Sequence, residues 1–217
     1  MPIKKKQPIH LPRTIYQNLR SDILSAVIPP GTCLNERAIA EERGVSRTPV
    51  REALFLLESE HLVRRYPKLG VVVTELSLRD VVEAFQIREF IEPPAAAIAA
   101  EHSGKLADEL TNLLREFEYL PGSGLEDKEK YLRHNAIDGR LHELILESVG
   151  NLRLTDIMNT IQAICTRARS FGTPMRFDES TLEHTRLIQA LLDGDAAASA
   201  LCMRTHLVNT RKRLMPS

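Results

Sequence analysis

The sequence contains no tryptophan, and aromatic residues make up only 5% of its 217 residues. A surface of stacked aromatic side chains, as in many readers of single-stranded RNA, is therefore not expected. The three cysteines, Cys33, Cys165 and Cys202, are too few and too widely spaced for a disulfide framework. No signal-peptide segment follows Met1 and no apolar run reaches membrane-spanning length, so we expect a cytoplasmic protein without membrane contact.

The chain also lacks net charge, but its charged residues are unevenly distributed. Residues 1–75 hold 12 Lys and Arg against 8 Asp and Glu, whereas residues 76–217 hold 17 against 21. The basic first part suits a polyanionic partner such as nucleic acid, and the mildly acidic second part does not. With 43% hydrophobic residues the chain has enough apolar side chains to bury a core.

The first 75 residues predict a flexible tail followed by a small folded domain over 13–75. The polar, proline-containing residues 1–12 form the tail. A helix is predicted over 13–27 from an apolar stripe of Ile15, Leu19, Ile23 and Ala26. The sequence IPPGT ends this helix, because proline and glycine disfavour its continuation.

Two further helices and a hairpin follow in this domain. Asn35 is a suitable N-cap for the second helix, whose Ala38 and Ile39 are expected to face the core. Gly44 ends that helix, and Ser46 caps a third helix through SRTPVREALFLLES. The segment HLVRRYPKLGVVVTEL then predicts two short strands around a Pro-Lys-Leu-Gly turn.

Three helices and a hairpin in this order describe a winged helix, whose third helix presents its N-terminal residues to the major groove of DNA. That helix end also favours phosphate through its free N–H groups. Arg47 and Arg51 are four residues apart and share one helix face. Arginine can bind the guanine edge bidentately or pair with a phosphate. Ser46 and Thr48 add hydroxyls, and Pro49 is suited to the first turn.

Three other residues extend this predicted interface beyond the third helix. Arg37 opens the second helix and can reach the DNA backbone, and Lys68 and Gly70 lie in the wing. Judged on charge alone, the third helix would be an ordinary amphipathic helix with a solvated basic face. A winged helix that binds only protein is a second alternative, but it would leave Arg47 and Arg51 unexplained. The candidate DNA-contacting residues are Arg37, Ser46, Arg47, Thr48, Arg51, Lys68 and Gly70.

Residues 76–217 form a second domain that reads as an all-α bundle, so the fold class is mainly α. Helices are predicted over 77–101, 104–119, 127–148, 152–170, 179–193 and 196–213, from apolar periodicity and the breaks between them. The Pro93-Pro94 pair is expected to kink or restart the first of these helices.

Four polar residues of this bundle occupy core-facing positions. Asp138 and His142 are four residues apart on one apolar stripe, and His184 lies on another. His184 precedes Gly194 by ten residues and His206 follows it by twelve, so an antiparallel hairpin places both at nearly the same height. Three imidazoles and one carboxylate suit zinc first, or nickel, manganese or iron, with positions left for a ligand.

Other interpretations of the bundle remain open at this point. Each of the four residues could be a separately satisfied core polar group, or the ion could be purely structural. A metal-dependent hydrolase would need a general base, but no HExxH motif is present, and Glu143 and Glu183 are expected to point elsewhere. The remaining histidines are expected at the surface or at helix ends; they are His10, His61, His102 and His134.

The first domain resembles the DNA-binding domain of GntR-type bacterial transcription regulators over residues 13–74. The resemblance is carried by PPGTCLNERAIAEERGVSRTPVREALFLLESEHLVRRYPKLGVVV, and the VSRTPVREAL core is highly specific. It implies that Arg37, Arg47, Arg51 and Gly70 match DNA-contacting positions of the family. The sequence departs from the family at Glu60-His61, where a glycine is usual, and we expect this to affect the turn.

The second domain resembles the FCD ligand-binding domain of the FadR-type branch over residues 77–213, and six helices suggest its VanR-like subgroup. The segments IREFIE, IDGRLHELILESVGN and LEHTRLIQALLDGDAAASALCMRTHL carry the resemblance. It implies that Asp138, His142, His184 and His206 are ligands of a divalent metal ion. It also implies that Arg88 binds the carboxylate of a small organic acid effector.

The two resemblances together imply a regulator and no enzyme. Such regulators bind near-palindromic operator DNA as homodimers, and repression is their commoner effect. A two-fold dimer fits this reading physically, because it presents two recognition helices to two half-sites.

Overall fold

The computed structural model describes residues 11–171 and 177–215, and the chain divides into two compact units, Met1–Ser77 and Leu78–Ser217. Most of the expected tail, residues 1–10 with His10, lies outside the described residues. Leu11 and Pro12 belong to the first helix and not, as predicted, to the tail.

The first unit contains three helices and three strands among its described residues. Helix α1 spans Leu11–Leu24, α2 spans Glu36–Glu42 and α3 spans Arg47–Ser59. Strand β1 spans Cys33–Leu34, β2 spans Val63–Tyr66 and β3 spans Gly70–Val73.

Apolar faces of α1 and α3 form the core of this unit. Ile15, Leu19 and Ile23 of α1 are buried, as their spacing predicts, and α1 packs against α3. Ala26 lies beyond the end of α1 in a turn with a φ of 58°, so the predicted stripe is one residue too long. The buried residues of α3 are Val50, Ala53, Leu54 and Leu57.

The turn between α2 and α3 follows its predicted capping residues in part. The side chain of Asn35 accepts hydrogen bonds from the backbone N–H groups of Arg37 and Ala38. Gly44 adopts a left-handed φ of 63°, which glycine tolerates best. Ser46 occupies the N-cap position of α3, but its side chain makes no capping hydrogen bond. Ala38 is exposed, contrary to our expectation, because Ala40 is the residue that faces the core.

The hairpin at residues 63–73 has the predicted turn and one unpredicted neighbour. Strands β2 and β3 are antiparallel, with Tyr66 opposite Gly70. The two-residue strand β1 pairs with the other edge of β3, which gives the order β1-β3-β2. His61 adopts a φ of 59° in the turn before β2, the turn in which we expect the Glu60-His61 pair to have its effect.

The second unit contains six helices among its described residues, as the sequence predicts. Their bounds are Leu78–Glu101 (α4), Ser103–Tyr119 (α5), Asp127–Ser148 (α6), Leu152–Phe171 (α7), Phe177–Leu192 (α8) and Ala196–Leu214 (α9). None of the described helices is both long and apolar enough to cross a bilayer.

Helix α4 does not restart at Pro93-Pro94, which was one of the two effects predicted for this pair. It continues as one helix to Glu101, although both prolines lack the N–H that would close a helical hydrogen bond. Buried residues lie on both sides of the pair, including Phe85 and Ala96, and α4 packs along α9, α6 and α7. Tertiary packing therefore outweighs the local preference, and Arg88 stays on the same helix as the prolines.

Replacing Asn35 by alanine is expected to destabilise the start of α2, because two backbone N–H groups lose their acceptor. Loss of such a cap costs about 0.5–2 kcal/mol. Amide hydrogen exchange of residues 36–42 should accelerate accordingly. Ser46→Ala is the matched control, because Ser46 occupies the N-cap of α3 without making a capping bond. If Ser46→Ala accelerated exchange in α3 as much as Asn35→Ala does in α2, the stabilising role assigned to the Asn35 cap would be contradicted.

Candidate metal centre and nucleic-acid interface

Four side chains of the second unit meet at one buried centre. Asp138 and His142 come from α6, His184 comes from α8 and His206 comes from α9. Each offers one ligand atom, and these atoms all lie within 4.8 Å of one another. All four residues are at most 2% exposed.

Local sequence explains why these side chains converge. The four-residue spacing places Asp138 and His142 one above the other on α6. Gly194 makes a tight turn between α8 and α9 with a φ of 70°, and Asp195 caps α9 by accepting from the N–H of Ala198. The antiparallel hairpin brings the rings of His184 and His206 to a centroid distance of 4.3 Å.

The imidazole Nε2 atoms surround one carboxylate oxygen. Asp138 Oδ1 lies 2.8 Å from His184 Nε2, 3.5 Å from His142 Nε2 and 3.7 Å from His206 Nε2. Such a cluster of ring nitrogens around a carboxylate oxygen is the donor set that divalent transition metals bind.

Two further carboxylates hold the outer nitrogens of these imidazoles. Nδ1 of His142 lies 2.6 Å from Glu92 Oε2, and Nδ1 of His206 lies 3.0 Å from Glu183 Oε2. We assign the ring proton to Nδ1 in both, which leaves each Nε2 lone pair directed at the centre. Sequence reasoning missed Glu92 and wrongly expected Glu183 to point elsewhere, whereas Glu143 pairs with Arg140.

The buried Nε2 of His142 has no hydrogen-bond partner among the described residues. An unsatisfied buried acceptor is costly, and coordination of an ion would satisfy it. The donor set of the cluster therefore fits a divalent metal ion.

The ionisation of the cluster also favours metal binding. Burial lowers the pKa of His184 to about 3, and burial likewise lowers the pKa of His206. Burial opposes the charged form of Asp138, but Arg169 and then His142 hold the pKa of Asp138 well below its usual range. At neutral pH His184 and His206 are therefore neutral imidazoles and Asp138 is a carboxylate, the forms that bind metal.

His142 differs from the other two imidazoles. Burial lowers its pKa, but the carboxylates of Glu92 and Asp138 together more than compensate, so that the pKa of His142 lies above its usual value. A metal ion would have to compete with a proton at this ring.

Arg88, the residue implied to bind an effector, lies beside this cluster in a closed ion pair. Its side chain is almost fully buried, and Nε lies 2.6 Å from Glu92 Oε1. Nη2 is also 3.1 Å from His142 Nδ1. Burial opposes the charge of Glu92, yet Arg88 and His142 lower the pKa of Glu92 to about 2. Arg88 therefore balances a buried carboxylate of the chain itself.

His134 is buried, contrary to the expectation that it lies at the surface or at a helix end. It is 4% exposed on α6, one turn before Asp138, and its ring meets Phe117 edge-on. Phe117 in turn stacks on His184 at a centroid distance of 4.6 Å. The apolar spacing of α6 would have revealed His134, because it shares a face with Asp138 and His142. His61 and His102 are exposed, as predicted.

A small cavity adjoins Asp138 on the side of Arg169. Arg169 Nη1 donates to Asp138 Oδ2, and the arginine is largely buried on α7. The cavity volume of about 20 Å³ is enough for one water molecule. Its lining residues are Tyr131, His134, Asn135, Asp138, Arg169, Ser180 and Thr210. Sequence reasoning missed Arg169, because no spacing within α7 relates it to Asp138.

The seven candidate DNA-contacting residues all lie exposed on the first unit: Arg37, Ser46, Arg47, Thr48, Arg51, Lys68 and Gly70. Arg37, Ser46 and Arg47 line one surface depression between α2 and the start of α3. Lys68 and Gly70 lie at the hairpin turn, with φ values of 71° and 93°.

These arginines differ in their ion pairs. Arg51 Nη2 lies 3.2 Å from Glu36 Oε2, and Arg37 Nε lies 2.7 Å from Glu41 Oε1. Arg47 makes no ion pair with any residue in 11–171 or 177–215. Arg65 of β2 also pairs with Glu36 at 3.1 Å and is exposed, a position that sequence reasoning passed over although the basic RR pair marks it.

Comparison with protein families divides the chain in the same order. Residues 11–73 match the family described as "Bacterial regulatory proteins, gntR family", and residues 83–209 match the "FCD domain". The second match alone spans more than half of the chain.

Curated relatives cover most of the chain. An HTH-type transcriptional regulator from an unstable DNA locus of Streptomyces ambofaciens is 31% identical over 199 residues, covering 90% of this chain and 81% of that protein. The HTH-type transcriptional repressor RspR of Escherichia coli K12 is 27% identical, covering 93% and 86%. The gluconate operon transcriptional repressor of Bacillus subtilis is 28% identical, covering 81% and 70%.

Solved structures share the fold. McbR/YncC of E. coli superimposes with a TM-score of 0.78 at 21% identity, covering 94% of this chain and 96% of that one. A GntR regulator from Rhodococcus sp. RHA1 gives the same TM-score and coverage at 20% identity. The chain therefore belongs to the gntR family of bacterial regulatory proteins, as a transcription regulator, not an enzyme, that joins a gntR-type unit to an FCD domain.

Proposed function

We propose that this regulator is a repressor that binds a near-palindromic operator as a homodimer and responds to a small organic acid. A divalent metal ion at Asp138, His142, His184 and His206 takes part in sensing the acid. The observation that carries the proposal is the convergence of these four buried side chains in one unit, while the other unit exposes a basic helix end.

The exposed end of α3 supports DNA contact. Arg47 lies in its first turn without an ionic partner among the described residues, so its guanidinium is available to a base edge or a phosphate. Arg51 and Arg37 would exchange their glutamate partners for phosphates. Lys68 and Gly70 at the hairpin turn fit a contact with the neighbouring groove, where glycine permits close approach of the backbone.

The same geometry supports the proposed homodimer. One recognition helix reads only a few base pairs, and a two-fold pair of them reads a near-palindrome with higher affinity. The names of two relatives, RspR and the gluconate operon protein, support repression as the direction of regulation.

Zinc is the ion that the centre fits first, since three imidazoles and one carboxylate are its common ligands, with nickel, manganese and iron as alternatives. A bound ion would supply a Lewis-acidic position to which the acid's carboxylate can bind. Residues of the chain itself orient the three imidazoles of this site. Glu92 orients His142 and Glu183 orients His206, and Phe117 holds the ring of His184 by stacking.

Arg88 is the residue that the family resemblance assigns to the acid. Its place beside Glu92 and His142 puts it next to the centre, and it would contribute positive charge to the field that attracts the carboxylate.

Regulation requires that the acid bind the DNA-competent and DNA-incompetent arrangements of the dimer unequally. A coupling of about 1–3 kcal/mol changes operator affinity roughly 5–150-fold. The segment at residues 74–77 joins β3 to α4, and through it acid binding in the second unit is transmitted to the DNA-binding unit.

Removing one imidazole from the centre is expected to abolish metal binding. Zinc at about 100 times its Kd should stabilise the wild-type chain by about 2.7 kcal/mol. His184→Ala should lose this stabilisation in a thermal-shift measurement, whereas His102→Ala, at an exposed histidine, should keep it. Zinc stabilisation that survives in His184→Ala would contradict the proposed centre.

Arg47→Ala is expected to impair DNA binding without affecting zinc binding. Loss of a base contact costs about 1–3 kcal/mol, and loss of a phosphate contact lowers the salt dependence by about one charge. Fluorescence anisotropy on duplexes selected from a random library by the wild-type protein measures both. Arg204→Ala, an exposed arginine of the second unit, removes the same charge as a control. Unchanged affinity of Arg47→Ala would contradict the interface.

A screen of small carboxylic acids is expected to find compounds that stabilise the zinc-loaded chain but not the chain in chelator. The same compounds should change operator affinity about 5–150-fold. If no acid adds stability beyond that of zinc, the ion is structural only, and the sensing part of the proposal is wrong.

A further inference from the structure

We infer that Arg169 on α7 is the guanidinium that binds the acid's carboxylate directly, and that metal binding at Asp138 releases it for this role. The inference rests on the metal-and-acid function proposed above. It adds a residue that determines specificity, and it changes the part assigned to Arg88.

The first argument is position. Arg169 and Asp138 line the same small cavity, together with Asn135, Ser180 and Thr210. Among the residues that line this cavity, Arg169 carries the one permanent positive charge, and Arg88 does not belong to the lining. The cavity has room for one water molecule, which is about the size of a carboxylate oxygen, so an acid's carboxylate oxygen placed here lies beside Arg169.

The second argument is the cost of freeing each arginine. Arg88 and Glu92 form a fully buried pair at 2.6 Å. If Arg88 left Glu92 to bind an acid, a buried carboxylate would lose its main positive partner, which is strongly destabilising. Arg88 is therefore better suited to hold Glu92, which in turn orients His142.

Arg169 faces no such obstacle, because its partner Asp138 has an alternative use. Oδ2 of Asp138 accepts from Arg169, while Oδ1 is the oxygen that the imidazoles surround. Once Asp138 shares its charge with an ion, it holds Arg169 less tightly. The planar guanidinium can then form two parallel hydrogen bonds to a carboxylate.

The charge balance points in the same direction. Without an ion, Arg88 balances Glu92 and Arg169 balances Asp138. A divalent ion adds two positive charges to a buried region, and these require an anion from outside. The structure thus favours an order in which the metal binds first and the acid second.

The test compares Arg169→Met with Arg153→Met in the full chain, using zinc alone and then acetate as the carboxylate probe. Acetamide has nearly the same shape as acetate but no charge. Arg153 is an exposed arginine near the start of α7, so its substitution removes the same charge from the same helix. Isothermal titration measures zinc affinity, and thermal shift measures the response to acetate and acetamide.

In wild type and Arg153→Met we expect zinc-dependent stabilisation by acetate and none by acetamide. Arg169→Met should bind zinc as tightly as wild type or more tightly, because a positive charge beside Asp138 is gone. Its apparent affinity for acetate should fall about tenfold or more, as for the loss of a hydrogen-bonded charge pair. Arg169→Lys, which keeps the charge without the planar fork, should retain zinc and lose about three- to tenfold in acetate affinity.

Two results in the variants would overturn the inference while the proposed function stands. The first is an unchanged acetate response in Arg169→Met, or in Arg169→Lys if the methionine variant fails to fold. The second is loss of zinc binding together with the acetate response, which would make Arg169 a structural residue. A wild-type chain that binds no zinc, or binds zinc without responding to acetate, would overturn the proposed function as well.

Discussion

A single buried carboxylate, that of Asp138, constrains the architecture of the second unit. A charge with 2% exposure is tolerable only if both oxygens have partners, since an unpaired buried carboxylate costs several kcal/mol. Oδ1 meets His184 at 2.8 Å, and Oδ2 accepts from Arg169. These partners come from α8 and α7, so the helices must pack in one arrangement around α6 for the charge to be satisfied.

The same logic extends one layer outward, where one buried and one half-buried carboxylate fix two of the imidazoles. Glu92 on α4 holds His142, and Glu183 on α8 holds His206 of the neighbouring helix. Glu183 is itself held by Arg213 and Asn209 of α9. Because each carboxylate has a cationic partner, the network sets the orientation of the rings without leaving net charge in the core. Such a preset arrangement reduces the ordering that ligand binding would otherwise require.

The parts of the site that lie within one helix or one hairpin were predictable from sequence. The four-residue spacing predicted Asp138 with His142, and nearly equal distances from Gly194, ten and twelve residues, predicted His184 with His206. Glu92 and Arg169 could not be found in this way, because their roles depend on how α4 and α7 pack against α6. In the first unit the helices followed from periodicity and caps. The strand β1 was missed because two residues carry no periodic signal.

The arrangement of charges on α7 shows how the centre is linked to the start of the second unit. Arg169 contacts Asp138, and Arg167 is buried two residues before it, on nearly the opposite side of the helix. Burial lowers the pKa of Arg167, and the nearby charge of Asp80 in the first turn of α4 opposes that shift. The C-terminal end of α7 therefore lies close both to the Asp138 carboxylate and to the first turn of α4, the helix that follows residues 74–77. A ligand at Arg169 influences the DNA-binding unit only if it favours one placement of a helix such as α7 or α4 over another. Buried ion pairs can favour one placement of a helix over another, because breaking one costs about 3–5 kcal/mol. This cost exceeds the coupling free energy that regulation of DNA binding needs.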